Sequence, residues 1–165
     1  MSRRIKSLLV AAVQLCLVAS LGAKFLYDRS TLPRTWARSL PIDPDSPIRG
    51  RYVRLQLLVD ARGASEASAV RLRVDGGRLL AEPDPQSDGY RPSDLHVRRT
   101  RRGDEAWMLL EPVSFFIPEH VADPSRRPQD EQLWVEATIP PKGPPRPIRL
   151  GVRKADGPVV PLDLD

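Results

Sequence analysis

The chain has 165 residues, a formal net charge of +5, 18 prolines and one cysteine. Residues 1–38 hold seven of the 26 basic residues and one of the 21 acidic residues, so 19 basic and 20 acidic residues remain from position 39 onward. That near-neutral remainder lacks an aromatic-interleaved basic stripe, which argues against a nucleic-acid partner, and one cysteine excludes disulfides within the chain.

The first element is an apolar run of 17 uncharged residues at positions 7–23, preceded by Arg3, Arg4 and Lys6 and followed by Lys24. A membrane-spanning helix needs about 20 residues, with a lower limit near 17. Residues 25–27 complete the span because the Lys24 side chain reaches back to the headgroups. We therefore predict a basic head at residues 1–6 and an uncleaved transmembrane anchor at 7–27. A cleaved secretory signal is the alternative, although the small residues at 20–23 lack the Ala-x-Ala pattern.

The orientation depends on what flanks the anchor. A short basic head is hard to translocate, whereas a large C-terminal part crosses regardless of its charge. We expect a single-pass protein of the inner membrane with a cytoplasmic N-terminus and a periplasmic C-terminal domain. Basic and aromatic side chains near the bilayer contact anionic headgroups, and the residues predicted to do so are Lys24, Arg29, Trp36, Arg98, Arg99, Arg101 and Arg102.

A linker at residues 28–40 is expected to lead into a domain at 41–165. The frequent prolines exclude long helices, and short apolar runs alternate with turn signals. The clearest strand spans 51–60, where Val53, Leu55, Leu57 and Val59 alternate with polar residues. Further strands are predicted around 70–80, 94–111, 115–117, 133–139 and 147–164. The pattern predicts an all-β fold, a small antiparallel sandwich or barrel.

The segment that opens this strand, PIDPDSPIRGRYVRLQL at residues 41–57, resembles the GDYXXLXY protein family. Gly50, Tyr52 and Leu55 match the family motif, while Arg51 and Leu57 replace its Asp and final Tyr. The later FFIPE at 115–119 is similar to a second segment of that family. The resemblance implies a small bacterial membrane-anchored protein that accompanies a multi-pass membrane protein, and it brings no catalytic residue. The residues predicted to serve this partner-docking or structural motif are Arg49, Gly50, Tyr52, Leu55, Phe116, Pro118 and Glu119. Turn chemistry alone also accounts for these residue types.

Catalytic and metal sites find little support in the sequence. A signal-peptidase-like Ser/Lys hydrolase needs a buried lysine as base, and the predicted domain offers only Lys142 and Lys154, both beside turns. The Glu119, His120 and Asp123 cluster has too few nitrogen or sulfur ligands for a metal site. We expect no cofactor, no metal and no enzymatic activity. The predicted function is that of a membrane-anchored accessory or assembly protein, with the hydrolase and an envelope ligand-sensing domain as alternatives.

Overall fold

The computed structural model describes residues 3–42, 52–66, 68–87, 94–100 and 106–164. The chain divides into two compact units, Met1–Leu32 and Pro33–Asp165. In the residues described, the first unit is a single helix and the second is built of strands.

Helix α1 spans Arg3–Thr31. Its apolar side chains are exposed, with Leu8, Leu15 and Val18 at 70 to 71% of their maximal accessible area. The segment Ile5–Thr31 is long and apolar enough to cross a membrane, a property shared by membrane anchors and signal sequences. At 1.5 Å per residue its 27 residues extend about 40 Å, more than the roughly 30 Å hydrocarbon core requires.

Ten strands lie within the described part of the second unit. They are β1 (Arg34–Pro41), β2 (Tyr52–Ala61), β3 (Ala69–Asp75), β4 (Arg78–Pro83), β5 (Leu95–Arg99), β6 (Trp107–Leu109), β7 (Val113–Phe116), β8 (Glu131–Thr138), β9 (Arg146–Lys154) and β10 (Val159–Pro161). Hydrogen-bonded neighbours follow the order β10-β9-β8-β1-β2-β4-β3-β5-β6, and β6 returns to β2. Strands β2, β4, β3, β5 and β6 thereby close a five-strand barrel, which confirms the all-β, barrel-like prediction.

Strand β2 belongs to both the barrel and the open sheet. Its first residues pair with β7, its middle pairs with β1, and its last residues pair with β6 and with β4. The β2–β4 contact is parallel, whereas the other strand pairs are antiparallel. This arrangement depends on Val53, Leu55, Leu57 and Val59, which are 0 to 6% exposed and form one continuous inward face.

Two local features shape the strands around this core. Gly76 and Gly77 have φ of 55° and 77°, the left-handed conformation that a tight turn between β3 and β4 requires. In β9, Arg149 pairs with Glu136 and Pro147 pairs with Ala137, so Ile148 is the extra residue of a β-bulge. Proline has no N–H to donate to a regular ladder, and Pro147 is tolerated here because the bulge interrupts the ladder.

Strand β1 lies in the segment predicted as a linker, so the folded unit begins at Pro33 rather than at Pro41. The inward residues of β1 are Thr35, Ala37 and Ser39, which are small or polar and give no hydrophobic alternation. The buried Ser39 hydroxyl donates to the Leu133 carbonyl at 3.0 Å, and the Thr35 hydroxyl donates to the Gly77 carbonyl. These hydrogen bonds remove the penalty of burying hydroxyls, which allows a polar segment to form an internal strand.

Candidate functional site: the tryptophan cleft

A cleft of about 810 Å³ in the β unit is lined by all three tryptophans of the chain. Trp36 comes from β1, Trp107 from β6 and Trp134 from β8. We call this surface the tryptophan cleft; its charged lining residues are Arg38, Asp60, Arg78 and Arg153. Its size is in the range of small-molecule and peptide sites.

The register of the open sheet brings the residues on one side of the cleft together. Trp36 pairs with Glu136, which pairs with Arg149. One step along the strands, Arg38 pairs with Trp134, which pairs with Gly151. Because alternate residues of a strand share a face, both rows lie on the face opposite the core residues Ala37, Val135 and Leu150.

The Trp36 ring is held from two directions. A β carbon at Gly151 would lie 2.7 Å from Cζ3 of Trp36, so only glycine leaves room for the ring. The Arg149 guanidinium lies 5.6 Å from the ring centroid, and its Nε donates to the Glu136 carboxylate, whose side chain is only 11% exposed. The ion pair holds the arginine over the indole.

Trp134 and Arg153 form a second stacked pair, with the guanidinium carbon 5.5 Å from the ring centroid. Both Nε1 of Trp134 and Nε of Arg153 are buried and lack a hydrogen-bond partner among the described residues. Nη2 of Arg153 donates a long hydrogen bond of 3.4 Å to the Asp156 carbonyl. One of these two unsatisfied N–H donors belongs to the Arg153 cation. A hydrogen-bond acceptor, and above all an anionic one, would therefore stabilise this end of the cleft.

Two further arginines lie in or beside the lining. Arg99 covers the Trp107 ring at 5.2 Å, and Arg78 approaches the Asp60 carboxylate at 3.7 Å, with both side chains more than half exposed. Three arginines and one aspartate line the cleft, so its potential favours anionic groups.

The predicted motif residues lie on other parts of the β unit. Tyr52 and Phe116 pair across β2 and β7, with ring centroids 5.5 Å apart and planes at 70°, and they are 56% and 58% exposed. Leu55 is fully buried in the core. Pro118 and Glu119 lie in the turn after β7, in which the Val121 N–H donates to the Pro118 carbonyl. Arg49 and Gly50 lie outside the described residues.

The residues predicted to contact headgroups are divided between the two units. Lys24 and Arg29 are exposed on α1, and Arg98 and Arg99 are exposed at the end of β5. Trp36 lies on β1 under Arg149 rather than in a linker. Arg101 and Arg102 lie outside the described part of the chain.

The two lysines of the hydrolase alternative are not in the surroundings that a general base requires. Lys154 Nζ lies 3.0 Å from the Asp130 carboxylate, and that hydrogen bond raises the lysine pKa, opposite to the change a base needs. Lys142 is exposed in a loop with Gly143.

Other titratable residues are engaged in local structure. The Asp123 carboxylate accepts from the Ser125 N–H and hydroxyl. His96 contacts Glu111 at 3.1 Å. Within the described residues no group of three or more histidine, cysteine, aspartate or glutamate side chains is placed to hold a metal ion.

Trp134, Arg149 and Arg153 were not predicted as site residues. The available signal was indirect, since the chain has only three tryptophans and two of them alternate with arginine or glutamate on β1 and β8.

No family model, curated protein or solved structure matches this chain. The resemblance to the GDYXXLXY family therefore remains a prediction from the motif residues.

Proposed function

We propose that this protein is a membrane-anchored, non-enzymatic accessory protein whose β-domain binds a partner outside the inner membrane. The observation that carries the proposal is the combination of an apolar helix with a β unit that contains a cleft lined by tryptophans and arginines. The family resemblance supports a multi-pass membrane protein as the partner.

The anchor part of the proposal rests on α1. Its exposed apolar side chains form a surface far larger than a soluble protein tolerates in water, and a bilayer covers such a surface. We propose that the helix stays attached, with a cytoplasmic N-terminus and a periplasmic β-domain in a bacterial cell.

The non-enzymatic part rests on the chemistry of the cleft. Its lining provides indoles, guanidinium groups and one aspartate, whereas lysine, histidine, serine and cysteine are absent from the lining among the described residues. These residue types recognise and orient a ligand, and they include no nucleophile paired with a base.

The exposed aromatic pair Tyr52 and Phe116 is the proposed contact with the multi-pass partner. Two adjacent aromatic side chains on a strand surface supply a large contact area at low conformational cost. The pair also joins the two segments that carry the family resemblance.

Site-specific photocrosslinking in intact membranes tests this function. A photoreactive phenylalanine analogue at position 52 is expected to give one discrete adduct with an integral membrane protein, which the double variant Y52A/F116A no longer co-purifies. The matched control is V160A, since Val160 is 60% exposed on β10. Adducts at position 52 with lipid alone, or unchanged co-purification of Y52A/F116A, would contradict the proposal.

An envelope ligand-sensing domain is the second candidate, favoured by the tryptophan cleft itself. It predicts that a small molecule, rather than a protein, occupies the cleft in cells. Mass spectrometry of ligands released from gently purified protein distinguishes the two candidates.

A further inference from the structure

We infer that the tryptophan cleft binds an acidic, extended peptide segment of a partner protein, with a carboxylate placed against Arg153 and Trp134. This inference deepens the proposed function by naming the chemistry of the recognised segment, and it rests on the β unit being a binding domain.

The first argument is the pair of unsatisfied donors. Nε1 of Trp134 and Nε of Arg153 are buried donors without partners among the described residues. A buried donor that lost its water and gained no acceptor is destabilising. A carboxylate supplies several acceptor sites in one group and satisfies both donors after a modest rearrangement of the Arg153 side chain.

The second argument is the charge of Arg153. The described residues place no carboxylate within ion-pair distance of its guanidinium, which instead lies over the Trp134 ring. Arg149, four residues earlier on the same face of β9, is paired with Glu136. The difference marks Arg153 as the arginine available to an incoming anion, whereas Arg149 holds Trp36 in place.

The third argument concerns the size and lining of the cleft. A free anion fills a small part of about 810 Å³. The rest is lined by the indoles, by Leu58 and Leu79, and by Pro158 and Val159, which suit the apolar side chains of a peptide.

A neutral sugar fits this lining less well. Sugars stack on open aromatic faces, and here a guanidinium covers one face of each indole. Trp36 is further covered at Gly151.

Intrinsic fluorescence provides a direct readout, because every tryptophan of the protein lines the cleft. The full chain in detergent is titrated with an acetylated, amidated hexapeptide of alternating glutamate and leucine. Matched titrations use the glutamine–leucine hexapeptide and sodium acetate. We expect a saturable change with the acidic peptide alone, and weaker binding as salt is raised because the ion pair is screened.

Two variants test the named contacts. R153Q removes the cation and is expected to weaken binding by about tenfold or more. W134F keeps a ring but removes the N–H donor, with an expected loss of about threefold to tenfold. R126Q is the charge-matched control, since Arg126 lies in a loop outside the cleft lining, and it is expected to bind as the wild type does. Circular dichroism confirms that each variant is folded, and the peptide comparison on the wild type needs no variant.

Equal binding of the glutamine peptide, an equal response to acetate, or unchanged affinity of R153Q would overturn the inference. An equal acetate response would identify a free-anion site instead. Failure of peptide binding with the crosslink at position 52 retained would reject the cleft inference alone. Peptide binding without any membrane-protein adduct would reject the accessory function instead.

Discussion

Trp36 lies directly against Gly151, and a β carbon at Gly151 would meet Cζ3 and Cη2 of that ring at 2.7 and 2.9 Å and Cγ1 of Val159 at 2.8 Å. Trp36 belongs to β1 and Val159 to β10, whereas Gly151 itself lies on β9, so three strands meet at this contact. The absence of one side chain thus allows the first strand of the β unit to place an indole across the sheet.

Substitution G151A is expected to lower the free energy of unfolding by about 1 to 3 kcal/mol, because the added methyl group overpacks this contact. Urea denaturation of the full chain in detergent, followed by circular dichroism, measures the change. The same substitution in a W36L background is expected to be less costly, since leucine withdraws two of the three clashing atoms. Equal costs in both backgrounds would contradict the assigned contact.

Glu136 is expected to hold Arg149 over Trp36. E136Q keeps the shape but removes the charge, so we expect a loss of about 1 kcal/mol, limited because the Arg149 side chain is 52% exposed. The loss should shrink at high salt. Near-ultraviolet circular dichroism should also change, since Trp36 loses its fixed guanidinium neighbour. A near-ultraviolet spectrum identical to that of the wild type would argue against this positioning role.

The hydroxyl of Ser39 stabilises the internal position of β1. S39A leaves the Leu133 carbonyl without this donor, and the expected cost is about 1 kcal/mol in the free energy of unfolding. S114A is the control, because Ser114 is exposed on β7, and it should be neutral within error. A neutral S39A would show that β1 does not depend on this bond.

The Asp130–Lys154 pair predicts a pH dependence with two limits. The hydrogen bond from Lys154 lowers the Asp130 pKa below 3.8, so its contribution is present above that value and is lost as the pH falls through the folded-state pKa. The Lys154 pKa is raised above 10.5, so its contribution is present below that value and disappears as the pH rises through the folded-state pKa. The melting-temperature difference between wild type and D130N should therefore be constant near neutral pH and should vanish at both extremes. A difference independent of pH would contradict the pair.

The fold was predictable where the alternation of apolar and polar residues indicates which side chains are buried. Strand β2 carries four aliphatic residues on one face, so it was predicted to within one residue at each end. Strand β1 was missed because Thr35 and Ser39 face the core with their hydroxyls bonded to distant carbonyls. The parallel contact between β2 and β4 was also missed. It forms because the hairpin of β3 and β4 folds back so that β4 lies beside β2, and no local sequence pattern indicates this arrangement.

The cleft was less accessible to prediction than the fold. Trp36 and Trp134 lie on strands that pair directly although nearly a hundred positions separate them, so their convergence follows from register. Arg153 can be identified as a candidate site residue only from the structure, which shows that no carboxylate of the described residues pairs with it. The pairing of Tyr52 with Phe116 likewise needed the register of β2 and β7, although both residues were predicted as motif members.

The anchor hypothesis predicts a position-dependent effect of charge in α1. Two arginines at its centre, L15R/V18R, should disfavour insertion by about 5 to 7 kcal/mol in total and release the protein from carbonate-washed membranes. L26R is the control, because an arginine near the end of the helix reaches the interface. Retention of L15R/V18R in the washed membranes, or an intact mass lacking residues 1–23, would contradict an uncleaved anchor.

The position of β1 also determines where the chain can be shortened. Only Leu32 and Pro33 separate the last residue of α1 from the first residue of β1. A fragment beginning at Pro41 would therefore lose a strand that is hydrogen-bonded on both sides, to β2 and to β8. It would expose two complementary strand edges, which favours aggregation or strand exchange between copies. A water-soluble version of the β unit should therefore begin no later than Pro33.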